Sequence, residues 1–417
     1  MNSEINGNNS EQVDETASHL LAGLRVIDAG SWIAAPAAAT VMSDFGAEVI
    51  KIEPFAGDPL RHLHAAPGAP ECEHDYFWAL DGRNKRSLAL DLKADAAREV
   101  IDALVARADV LVTNYRTPIA DRLGLGWARL QTLNPRLVYA QITGYGDAGP
   151  EADRPGYDTT AWWSRSGLAD HVRNPGTRPA MSAPGMGDHA TAMALFGGIM
   201  TALWARERSG RGRRVTTSLF ANGLWSNGMM ASMALCGAEV PVRDPEAGVA
   251  NALGVQYVCN DGRWLQLTLL NEEREWPRLV AALELDALAA DSRFATREAR
   301  REHAPALHEA LCERFGHLSG AEARRQLDAA GIPTAALTTV ADIPDDAQAL
   351  AADILTPVAE PRSGWQHTVN SPLWIEGARK QAPRYAADVG ADTEAILTEL
   401  GFDAAARARL RAGGATE

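Results

Sequence analysis

The sequence predicts an α/β protein: a doubly wound parallel sheet in a large domain, with a smaller α+β domain inserted into it. Three observations carry the prediction. Over the first 150 residues, apolar segments of strand length alternate with helical ones, the pattern of a parallel sheet with right-handed crossovers. After Met229 the texture turns to short strands and charged helices. Beyond residue 330 strand character returns, and a helix follows near the C-terminus.

Leu24–Ala29 is the first strand, apolar at its centre. Pro36 opens a small-residue helix that runs to about Phe45; proline suits a first helical turn, where its missing N–H would have no partner. Glu48–Glu53, Ser87–Leu92, Asp109–Asn114 and Leu137–Thr143 read as four further strands. Ala94–Arg107 is amphipathic at helical spacing, and two short helices flank Gly124-Leu125-Gly126. The apolar run Ala190–Trp204 falls short of the roughly 18 residues of a membrane span and is followed by charge, so it reads as a buried helix. Pro241–Gly248 is a polar linker. Gln256–Cys259 and Trp264–Leu269 form a hairpin, because Asp261-Gly262 supplies the positive φ angles of a tight turn. Helices fill Trp276–Leu327, strands recur at Ile332–Thr338 and Thr356–Val358, and Asp392–Leu400 is an amphipathic helix. The expected divisions are an N-terminal extension (1–19), the first part of a Rossmann-like large domain (20–229), a small α+β domain (230–330), and a return to the large domain ending in a helix (331–417).

Composition narrows the function. A chain of 417 residues exceeds one small core. A net charge of −14, from 40 basic and 54 acidic residues, argues against nonspecific nucleic-acid binding. Four scattered cysteines without a C-x-x-C pair suggest neither a disulfide framework nor a zinc site and fit a reducing cytoplasm. The polar N-terminus has no secretory signal pattern and reads as a disordered extension. A sheet of this kind invites a dinucleotide, but the turn Gly30–Pro36 lacks G-x-G-x-x-G, so a pyrophosphate could not approach the backbone there.

The segment Ser182-Ala183-Pro184-Gly185-Met186-Gly187-Asp188 places one carboxylate where the buried helix should begin. Asp188 is either a helix N-cap or a nucleophile, with the glycines clearing room for a substrate. His189 stands without partners at metal-ligand spacing and reads as packing in the first helical turn.

Several segments occur in an order that resembles the family III coenzyme A transferases. They are Leu21–Asp28, Asp44–Glu53, Asn84–Asp91, Asp109–Tyr115, Asn134–Ala140, Gly156-Tyr157-Asp158, Gly187-Asp188 and Ser209–Gly212. That family includes formyl-CoA and carnitine CoA-transferases and α-methylacyl-CoA racemase, and the likeness runs from about residue 20 to the C-terminus. The resemblance implies an interlocked, ring-like homodimer in which two chains thread each other. It also implies a Rossmann-like domain built from both chain ends, with CoA bound near the end of the first strand. Its catalytic aspartate falls on Asp188, and its CoA-binding positions on Ser31, Trp32, Leu90, Lys93, Asn114, Tyr115, Arg122 and Tyr157.

The implied reaction moves CoA between two carboxylic acids through an aspartyl anhydride and thioester. The implied partners are an acyl-CoA and an acceptor acid, with no cofactor beyond CoA as substrate, no nucleic acid and no membrane. Tyr157 occupies the position of a racemase histidine, and a phenol is poorly matched to proton transfer at neutral pH. This favours transfer over the alternatives, an acyl-CoA racemase using Asp188 as proton carrier or a non-catalytic CoA-binding protein. Ile33, Trp162 and Trp163 bring apolar bulk where relatives are small or polar; the tryptophans either line a more apolar acyl pocket or pack in the core.

Overall fold

The computed structural model describes residues 19–239, 248–362 and 364–417. The expected N-terminal extension, up to residue 18, and the linker at 241–247 lie outside them. The chain divides into two compact units. The larger contains the chain up to Arg173, then Pro179–Glu239 and Ala347–Glu417.

Its centre is a six-stranded parallel sheet: β1 (Arg25–Asp28), β2 (Glu48–Glu53), β3 (Arg86–Ala89), β4 (Val110–Thr113), β5 (Val138–Thr143) and β6 (Arg214–Ser218). The order is β3-β2-β1-β4-β5-β6. Direction of winding therefore reverses between β1 and β4, the position at which doubly wound sheets open a crevice at their carboxyl ends. Alternate residues feed two cores, as the strand period of two requires. Val26, Val110, Val112, Val138 and Ala140 face one; Ile27, Leu111 and Tyr139 face the other.

The helices are α1 (Ala34–Asp44), α2 (Tyr76–Asp81), α3 (Ala97–Val105), α4 (Thr117–Arg122), α5 (Trp127–Leu133), α6 (Leu168–His171), α7 (Met186–Ser209), α8 (Leu219–Ser226) and α9 (Gly228–Leu235). A π-helical turn spans Asp158–Ser164. The alanine-rich α1 is buried throughout its length and packs on α7. Its small side chains let the backbone lie close to the sheet, as the sequence suggests. The helix Thr393–Leu400 returns to pack on α3 and β3, and a further helix, Ala404–Ala412, follows it.

β6 is absent from the sequence reading. It is a partly exposed edge strand, Arg-Val-Thr-Thr-Ser, without the apolar run that marks its neighbours. The smaller unit comprises Asn174–Arg178 and the described part of Val240–Asp346. Its antiparallel sheet joins β7 (Gln256–Val258), β8 (Trp264–Leu267) and β9 (Thr334–Ala336) in that order. Pairing of β9 with β8 carries this unit past residue 330, the boundary expected from texture. In the larger unit, the strand expected at Thr356–Val358 extends over Leu355–Arg362 and pairs with Trp365–Val369 as a hairpin.

Candidate active site at the switch point of the sheet

The loops leaving β1 and β4 are tied to each other. The Ser31 N–H donates to Asn114 Oδ1 at 2.9 Å, and Asn114 Nδ2 donates back to the Ser31 carbonyl at 2.6 Å. Beneath them lies a nearly anhydrous group of charges. Lys51 Nζ sits 2.9 Å from Asp58 and 3.7 Å from Asp28, while Lys85 Nζ donates to Asp28 at 2.8 Å. Burial opposes ionisation of Asp28, but Lys51 and Lys85 outweigh it and hold the carboxyl below its usual range. The same group fixes the loop backbone: Lys51 donates to the Gly30 carbonyl, and Asp58 Oδ1 accepts the Trp32 N–H at 3.0 Å. Trp32 is thereby held at φ +62°, a left-handed conformation that is uncommon for a bulky residue. Its ring meets Tyr157 edge-on at 6.4 Å.

α7 brings Asp188 to this crevice. A pocket of about 200 Å³ is lined by Asp188 together with Ser31, Trp32, Asn114, Tyr115 and Tyr157; Arg116, Arg154 and the end of β5 complete the wall. No hydrogen bond reaches the Asp188 carboxylate among the described residues. Burial pushes this carboxyl up to about 7; the Asp158 charge adds to the shift and His189 opposes it. Asp158 accepts the Thr159 N–H at 2.7 Å, while its Oδ2 is buried without a partner. A carboxyl group that loses its proton near neutrality, opening on a pocket, can serve as nucleophile or as proton carrier.

The sequence profile of CoA-transferase family III matches residues 21–393. The chain belongs to that family. It is accordingly a CoA-transferase. It is 32% identical to the (R)-2-hydroxy-4-methylpentanoate CoA-transferase of Clostridioides difficile, covering 92% of this chain and 96% of the relative. It is likewise 32% identical to the cinnamoyl-CoA:phenyllactate CoA-transferase of Clostridium sporogenes, over 93% and 95% of the two chains. The crystal structure of a CaiB/BaiF family protein from Brucella suis superposes with a TM-score of 0.81 at 28% identity, covering 91% of this chain and 99% of that one.

Within the transferase, six of the nine positions expected at the site converge: Ser31, Trp32, Asn114, Tyr115, Tyr157 and Asp188. Three do not join them. The Leu90 side chain, just past the end of β3, is packed inside the core that includes α3. Lys93 and Arg122 are exposed and line no part of the pocket.

Asp188 is not the N-cap. Gly185 holds that place at φ +75°, and Asp188 is the third residue of α7. The glycines also have another purpose. A Cβ on Gly187 would lie 2.6 Å from the Trp162 ring, so Gly187 makes room for a buried tryptophan rather than for substrate. Trp162 and Trp163 stack on each other within the core, and Ile33 is buried with them. None of the three lines the Asp188 pocket, so of the two readings of the tryptophans the fold takes core packing.

His189 does lie in the first turn of α7, yet it does more than pack. Its Nε2 donates to both oxygens of Asp81, at 3.1 and 3.2 Å. Asp81, at the end of α2, carries no sequence signal, since a lone acidic residue at a helix end resembles any other. Arg116 and Arg154 were equally anonymous among surface arginines.

Proposed function

We propose that Asp188 is the nucleophile of an acyl-CoA:carboxylate CoA-transfer and that the pocket at the β1–β4 switch point receives the thioester end of CoA. The observation that carries this reading is a carboxylate without hydrogen bonds among the described residues, opening on the other five converging positions. Asp188 attacks the thioester carbonyl, forming an acyl–aspartyl anhydride and releasing the CoA thiolate. The thiolate attacks the aspartyl carbonyl, giving an enzyme thioester and the free donor acid. An acceptor carboxylate then attacks that thioester and expels the thiolate again. The thiolate takes the acceptor's acyl group from the new anhydride and frees Asp188. Each covalent step replaces one difficult exchange by an easier one. The first-turn amides of Gly187 and Asp188, which have no acceptor among the described hydrogen bonds, favour the ionised carboxylate.

The pocket wall includes Trp32, Ala34, Ile142, Tyr157 and Leu219. This apolar lining supports an acid with a branched or aryl substituent, and the names of the two relatives point the same way. We further propose an interlocked homodimer working in the cytoplasm, with CoA reaching outward across Ser31, Asn114 and Tyr115. Bare apolar side chains on α8 and α9 and the unpaired thiols support these assignments.

A second reading, proton transfer at the α-carbon, is favoured by the Asp188 carboxyl titrating near 7. One experiment separates the two. Incubated with acetyl-, 4-methylpentanoyl- and cinnamoyl-CoA, the protein should acquire a covalent adduct on the Asp188 peptide, read by mass spectrometry. Asp188→Asn should acquire none and lose transfer by roughly 10³-fold or more. A proton carrier forms no adduct, and near-normal transfer by Asp188→Asn would end the nucleophile reading.

A further inference from the structure

Asp81 and His189 form a partly buried pair that the steps above do not use. Asp81 ends α2, and its main-chain carbonyl accepts a hydrogen bond from Thr40 Oγ1 of α1 at 2.5 Å. Its carboxylate, itself buried, takes the His189 Nε2 proton at 3.1 and 3.2 Å. The other edge of the imidazole lies against the N-cap: a Cβ on Gly185 would sit 3.3 Å from both Nδ1 and Cε1. The ring is thus wedged between the last residue of α2 and the turn that delivers Asp188. A second cavity, about 380 Å³ and mostly apolar, borders the pair through Ala37, Val41 and Met193. The His189 side chain is 42% exposed beside it, so solvent screens part of a charge on the ring, while Asp81 is almost fully buried.

We propose that Asp81 and His189 are positioning residues for Asp188: Asp81 pins a cationic imidazole against the first turn of α7, where its charge keeps the neighbouring carboxyl group ionised for attack. This rests on the reading of Asp188 as the nucleophile. The surroundings decide the sign. Asp81 of α2 touches the imidazole, and the charges of Asp188 on α7 itself and of Arg83 just beyond α2 act on it through space. Arg83 is held bidentately by Asp44 at 2.9 and 2.7 Å. Asp158 faces Asp188 from the π-helical turn, and Lys85, near Asp81, is bonded to Asp28. Two carboxylates therefore bear on the ring beside one already neutralised guanidinium, and burial is what they must overcome. Asp188 faces the reverse arrangement. Its carboxylate neighbours disfavour ionisation, and His189 is the cation that favours it.

The test reads the protonation of Asp188 without CoA. A diazoacetamide esterifies protonated carboxylic acids, so labelling of the Asp188 peptide against pH, followed by mass spectrometry, reports its titration. His189→Gln retains a donor to Asp81 but carries no charge, and the labelling midpoint should rise by at least about one pH unit. His189→Lys restores the charge and should bring the midpoint back. In the wild-type protein the His189 ring proton resonance, assigned by its loss in His189→Gln, should titrate above the ordinary histidine range, and Asp81→Asn should lower that midpoint.

An unchanged labelling midpoint in folded His189→Gln overturns the proposal. So does a wild-type His189 that is neutral at pH 7, a measurement that needs no variant. Absence of an acyl adduct on Asp188, with the labelling shift as expected, would instead remove the nucleophile reading and leave the electrostatic coupling standing.

Discussion

Asp188 carries a cost of folding beside the chemical task proposed for it. Its carboxyl is raised from an ordinary aspartate value to about 7, first by burial and then by Asp158. The unfolded chain releases this proton near pH 4, the folded chain only near neutrality. Stability tied to the group is therefore complete below pH 4 and falls as pH rises toward 7. Asp188→Asn should unfold at a higher temperature than the wild type at pH 8, by roughly 2 kcal/mol after discounting the solvent that reaches the group. The gap should close by pH 4, as thermal melts across that range would show. That Asp188 sits at the pocket was legible in the motif around it. The purpose of its glycines was not, because a glycine beside a carboxylate looks the same whether it admits a substrate or a tryptophan ring. Trp162 and Trp163 stayed open between two readings for a related reason: apolar bulk reads alike in a core and in a pocket wall.

At the level of elements, the Gly30–Trp32 loop takes its shape from a buried charge group where a dinucleotide fold would have a glycine fingerprint. Asp58 accepts the Trp32 and Leu60 amides and faces Lys51 at 2.9 Å, all almost without solvent. Asp58→Ala would leave Lys51 short of one partner and two amides without acceptors. We expect a loss of about 3 kcal/mol or more in urea unfolding. The same variant should bind CoA more weakly, since Trp32 would no longer be held at its left-handed angle. Strands β1 to β5 were legible to within a few residues because each is an apolar run buried on both faces. The helix start was displaced from Asp188 to Gly185, since capping preference ranks residue types and is blind to φ. The Lys51, Asp58 and Lys85 contacts were illegible, as they join positions 7 to 57 residues apart.

For the whole molecule, the parallel sheet followed from the alternation of textures, whereas the pairing of β9 with β8 is a long-range contact that texture does not reveal. Trp225, Met229 and Leu235 are 86%, 89% and 87% exposed on neighbouring helices. So much apolar surface is more than isolated soluble chains usually leave bare. Light scattering should therefore give twice the 44.6 kDa of one chain, and Trp225→Glu with Met229→Glu should shift the population toward monomer. A wild-type monomer at micromolar concentration would refute the dimer.

β3 is the edge of the large sheet, and the chain's last residues close it. Asp392 accepts the Ser87 amide at 2.9 Å, Thr393 Oγ1 accepts the Ala89 amide at 3.1 Å, and the Ala415 carbonyl accepts the Asp91 amide at 3.0 Å. During synthesis, then, the strand made early waits through some three hundred further residues for its cover. Over that interval it is an open hydrogen-bonding edge on a ribosome-bound chain. The segment from Asp392 to Ala415 works as a closing seal, and the protein's exposure to misassembly is set by how long translation takes to deliver it.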